Sequence, residues 1–146
     1  MSHTGILNQE LIRQGLEWVK SQHEILIQYY ETELAKTFPS ISASQRHEVA
    51  VLQTEGMIRR LEGQNFDTGE LKNIFIDYLA AGVSLERLTA VAEFLQERFC
   101  SKVKKDLANK PHVAETLINR ANYVSKLLKA TMAAAVISYE GQKQSL

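Results

Sequence analysis

From Leu85 to Val103 one apolar stripe runs through Leu85, Leu88, Val91, Ala92, Leu95, Phe99 and Val103, mostly in steps of three or four. That spacing puts them on one side of a helix. A stripe with this period does not suit the alternation of a strand, and it needs another helix or layer to cover it. The rest of the chain repeats the signal, and no strand pattern or internal repeat interrupts it.

Two prolines and seven glycines, read as seams, divide the 146 residues into five expected helices. The first runs from about Asn8 to Thr37, before Pro39. The second starts near Ser42 or Ser44, where Ser42 and Gln45 have the spacing of a capping box, and ends at Gly63 and Asn65. The third is short, with Asp67 and Glu70 as a second capping pair and Gly82 as its left-handed C-terminal residue. Ser84 caps the fourth helix, which turns at Asn109, Lys110 and Pro111. The fifth runs from about Pro111 to Tyr139, leaving 140–146 as a frayed end or the start of a linker. The expected fold is one all-α domain over 1–146, with its two long C-terminal helices antiparallel.

The first helix carries two apolar seams. One is Ile12, Leu16, Val19, His23, Leu26, Tyr30 and Leu34. The other, Leu11, Trp18, Ile25 and Tyr29, lies roughly 125° around it. The second seam needs a partner of its own, either another helix of this chain or a second copy. Leu11, Trp18 and Ile25, with Ala134 in the small-residue segment "ATMAAAVISY", are the candidate homodimer contacts.

The charge balance excludes several classes of function. Seventeen basic and seventeen acidic residues cancel, and no like-charge block reaches five residues. Nucleic acid and membrane surfaces are therefore not expected partners. One cysteine, no apolar leader at "MSHTGILNQE" and no run long enough to span a bilayer point to a cytoplasmic address.

The residues offer little catalytic chemistry. No zinc-protease, phosphate-loop, nucleophile-elbow or CxxC motif is present. Cys100, beside the stripe residue Phe99, reads as a partly buried structural thiol. His3 sits in a loose terminus, and His47 and His112 near helix starts face water. His23, on the apolar stripe, reads as a core or interface histidine with a hydrogen-bonded ring; the functional readings are an iron ligand or a proton switch. Arg59 and Arg60 read as exposed arginines or as anchors for a carboxylate at a pocket mouth. Most aromatics belong to buried stripes. A slot between the third, fourth and fifth helices would draw on Tyr30, Phe75, Tyr78, Leu95, Phe99, Val124 and Leu128, and apolar slots of that kind take lipids or flat rings.

The segment "LAAGVSLERLTAVAEFLQERFCSKVKKD", with its glycine–aliphatic–serine turn, resembles the centre of the N-terminal domain of RsbR-type stressosome proteins. "NRANYVSKLLKATMAAAVISYE" is similar to the helix that leads from that domain into its linker, and the helix order matches from about residue 8 to 140. The resemblance implies a globin-like sensor domain, usually without haem, that forms a homodimer and acts on a fused or separate signalling output partner without catalysis. Related domains of sporulation kinases, and freestanding copies of them, bind fatty acid in the cavity where haem sits in other members. In haem-containing globin-coupled sensors the turn reads roughly His-x-x-x-Gly-Leu. That pattern places Tyr78 at the iron-ligand position, with Gly82 and Val83 at the glycine and the aliphatic residue. The expectation is a non-enzymatic sensing module of a bacterial stress or sporulation protein that binds no cofactor, or a fatty acid. The alternatives are a haem-binding gas or redox sensor using Tyr78 or His23, and a filled bundle without a ligand.

Overall fold

The computed structural model describes residues 3–63 and 68–144, and side chains over 8–63 and 69–143. Among the described residues the chain is all helical. Its elements are α1 (His3–Ser21), α2 (His23–Thr37), α3 (Ala43–Leu61), α4 (Thr68–Ala80), α5 (Leu85–Asp106) and α6 (Pro111–Gln144). There are six helices where five were expected, because the first is broken at Gln22. There φ is −101° and ψ is 9°, in the bridge region between helix and extended backbone. The Gln22 amide is shared between the carbonyls of Trp18 (3.0 Å) and Val19 (3.2 Å). The Ser21 hydroxyl donates to the Trp18 carbonyl at 2.7 Å. A serine that bonds back into its own ladder tightens and bends the turn.

The other ends follow local chemistry. Ser42 and Gln45 close a reciprocal capping box at the start of α3. The C-terminus of α4 is a Schellman motif: Gly82 N–H donates to the Leu79 carbonyl and Val83 N–H to that of Tyr78, both at 3.0 Å. Gly82 has φ +91°, which a side chain would resist. Two residues on, the Ser84 hydroxyl accepts from Arg87 N–H at 3.2 Å and starts α5. The pair Asp67 and Glu70 cannot be compared, since Asp67 lies outside the described residues. Helix α6 does not stop at Tyr139 but continues to Gln144, which covers most of the expected tail. The glycines also depart from the expectation, for Gly15 and Gly56 lie inside α1 and α3.

Pairings give the topology. Glu93–Lys129 (3.1 Å) and Gln96–Asn122 join α5 to α6 in descending register, so the two long helices are antiparallel. His23–Glu55 (2.7 Å) and Glu31–His47 do the same for α2 and α3. The core is built around Tyr30, Phe99, Leu26, Leu34, Leu117, Val19 and Val103, each less than 2% exposed. Trp18 lies edge-on to Phe99 with ring centroids 6.4 Å apart, and Leu11 packs on the same core. Leu11, Trp18 and Tyr29 of the second seam thus pack, partly buried, against the core, with Ile25 left 51% exposed. Helix α1 comes close to α6 at Gly15, where a Cβ would stand 2.9 Å from Leu117 Cδ2. Among the described residues no helix is long and apolar enough to cross a membrane.

Candidate functional site

Helix α3 packs on α1 and α2, and α4 packs chiefly on α6. Between α3 and α4 a cleft is left open, with α5 and α6 as its floor. Its volume is about 620 Å³, in the usual range of a small-molecule site. Val49, Leu52 and Met57 of α3 and Leu71, Ile74 and Phe75 of α4 form apolar walls. Leu88, Val91 and Leu95 of α5, with Val124 and Leu128 of α6, form the floor. The helical spacing that made the stripe in α5 therefore serves two sides: Phe99 and Val103 close the core, and Leu88 and Val91 are only half buried because they face the cleft.

Polar groups stand at both ends, and Gln53 and Glu55 of α3 lie between them. At one end the loop before α3 meets the N-terminus of α5. The Arg87 side chain donates to the Ser40 hydroxyl there, beside Gln45 and Ser84. Towards the other end Arg59 stands near the close of α3 and Glu70 near the start of α4. Glu55 reaches the lining as well and carries the His23 bridge.

Tyr78 lies in the α4 wall. Its hydroxyl is sealed from solvent and has no hydrogen-bond partner of good geometry among the described residues. Burial, and after it the nearby Glu48 carboxylate, pushes its pKa up to about 12. It is therefore a neutral phenol at ordinary pH, with the Glu48 carboxylate as the acceptor nearest to its O–H.

Five of the seven residues expected to line an apolar pocket meet in this cleft: Phe75, Tyr78, Leu95, Val124 and Leu128. Tyr30 and Phe99 do not. Both are 1% exposed in the core between α2 and α5, outside the cleft lining. Of the two anchor candidates, Arg59 reaches the cleft. Arg60 points elsewhere, half buried near Tyr123 and Arg120 of α6, and burial pushes its pKa down. Arg87 was not singled out from the sequence. Its signal was its place three residues after Ser84, in the first turn after the Gly82 bend.

Of the two residues considered as haem ligands, Tyr78 lies in the cleft wall as a neutral phenol, and iron would have to displace its proton. His23 lies outside the cleft lining, its ring between Glu24 (3.3 Å) and Glu55 (2.7 Å). These carboxylates raise its pKa, Glu55 the more strongly, against a smaller opposing effect of burial. Among the described residues no group of three or more His, Cys, Asp and Glu could hold a metal ion. Cys100 is half buried on α5, and desolvation pushes its thiol pKa up, which makes it a poor nucleophile. Compared with family models, curated proteins and solved structures, the chain matches none.

Proposed function

We propose that this chain is a non-enzymatic regulatory module that takes a long-chain carboxylate, such as a fatty acid, in the α3–α4 cleft and works as a homodimer. The observation that carries the reading is the cleft itself: about 620 Å³ of mostly apolar space with arginines at its ends and no nucleophile–base pair in its lining. Burial of a hydrocarbon chain would supply most of the affinity at about 25 cal/mol per Å². A single arginine contact would favour the anionic head over a neutral one. The antiparallel α5–α6 pair and the glycine–valine–serine turn support reading the arrangement as globin-like, and with it the resemblance to sensor domains of stress and sporulation signalling.

Ligand action requires that the occupied cleft favour one helix arrangement over another, by as much as the ligand discriminates between them. The test is native mass spectrometry of the freshly purified chain with lipid extraction, followed by thermal melts with palmitate. The reading expects either a co-purified acyl adduct or a palmitate-dependent rise in melting temperature. No adduct and no shift at saturating palmitate would sink it. A Soret band in the visible spectrum would replace it with a haem reading.

A further inference from the structure

Along α6, Tyr123, Leu127, Ala130, Ala134, Ile137 and Gly141 recur in steps of four, three, four, three and four. At 3.6 residues per turn they fall within an arc of about 80°, and the buried Met132 and Ala135 lie on the side away from it. Of the row, Tyr123, Ala130, Ala134, Ile137 and Gly141 are exposed and Leu127 is half buried. Ile137 is 74% exposed and Tyr123 52%, the two largest values among the exposed large hydrophobics. Lys126 and Glu140 stand along one flank, exposed, with no ion-pair partner among the described residues. A seven-residue apolar repeat of this kind suits a second helix.

We propose that the row pairs with the same row of a second copy of this chain, antiparallel, about a twofold axis passing between Ala130 and Ala134. The alignment is specific. Tyr123 meets the partner's Gly141, the largest side chain opposite the position without one. Leu127 meets the partner's Ile137, and Ala130 meets the partner's Ala134, where small residues let the helices close. In this register Lys126 comes beside the partner's Glu140, and the twofold axis repeats the pair. Parallel pairing does none of this: it stacks Tyr123 on its own copy and leaves Lys126 and Glu140 without opposite charges. The inference rests on the homodimer reading above. It goes further by naming a defined surface and orientation, apart from Leu11 and Trp18, which pack partly buried against the core.

The experiment is sedimentation equilibrium on the full chain. Ile137→Glu is expected to weaken self-association about a hundred-fold or more, since each dimer loses the contact twice. Because Ile137 is exposed, the variant should keep the wild-type circular dichroism and melting temperature. Lys126→Glu alone should weaken the dimer, and Lys126→Glu with Glu140→Lys should restore it. For orientation, Tyr123→Cys and Gly141→Cys, each in a Cys100→Ser background, are mixed and oxidised. Disulfides between the two variants are expected, and Tyr123→Cys joined mainly to itself would overturn the antiparallel register. A dimer untouched by Ile137→Glu overturns the surface and leaves the homodimer reading standing. A wild-type chain that stays monomeric at every concentration removes both.

Discussion

Substituting Gly15 by alanine sets two known effects against each other. Alanine in place of a helix-interior glycine gains about 1 kcal/mol from backbone propensity alone. The new methyl, however, would stand 2.9 Å from Leu117 Cδ2 and 3.2 Å from its Cγ. Leu117 is 0% exposed, so it has no solvent side to rotate into. Overpacking a filled core costs about 1–3 kcal/mol. The net expectation for Gly15→Ala is a destabilisation of about 1 kcal/mol. Leu117→Ala alone should cost about 2–5 kcal/mol, the range for a buried leucine that leaves a cavity. In that background the clash is gone, and Gly15→Ala should stabilise by about 1 kcal/mol. The sign of one substitution thus reverses with the residue opposite it, a coupling of about 2 kcal/mol in a double-mutant cycle. Urea unfolding followed by circular dichroism reads all four proteins, provided the slope stays constant. If Gly15→Ala stabilises the wild-type chain by the full propensity gain, α1 and α6 do not approach as closely as described.

Three further outcomes are expected. The His23 pKa is raised by Glu55 and Glu24, so its bridge to α3 contributes stability that is full below about pH 6.5 and is lost as pH rises through the folded pKa. Melting temperature should therefore fall more between neutral and alkaline pH in the wild type than in Glu55→Gln, and equal slopes would contradict the bridge. Gly82→Ala should cost about 1–2 kcal/mol, because the Schellman turn holds φ at +91°; an unchanged denaturation midpoint would refute that turn. Tyr78→Phe removes a buried hydroxyl that has no hydrogen bond of good geometry among the described residues, with Glu48 nearby, so stability should change by no more than about 1 kcal/mol. A larger loss would show that the hydroxyl makes a full hydrogen bond, with Glu48 as the acceptor at hand.

The helix boundaries most legible in the sequence were those with their own chemistry. Ser42 with Gln45, Gly82, and Ser84 each act through atoms two to four residues away, so a local reading suffices. The break at Gln22 was hidden because neither Ser21 nor Gln22 is a strong helix breaker, and the bend depends on which carbonyl the serine chooses. Gly15 carries no local signal either, since its reason is Leu117, a hundred residues further along. In the cleft, the five lining residues identified in advance lie on regular helical stripes. Tyr30 and Phe99 share such stripes but face the neighbouring layer, and periodicity alone does not say which of two layers a stripe meets. Arg87 was missed for the same kind of reason. Its role depends on Ser40, 47 residues away in sequence, in the loop after α2 that Phe38 holds against Phe94 of α5.

Helix α6 is one unbroken rod of 34 residues, about 51 Å long at 1.5 Å per residue. It supplies Val124 and Leu128 to the cleft floor and carries Ile137 outward near its far end. A stiff member shared by two places cannot lean differently at each. If filling the cleft alters the lean, and so multiplies the tendency of two subunits to join, then joining must multiply the hold on whatever fills the cleft by the same factor.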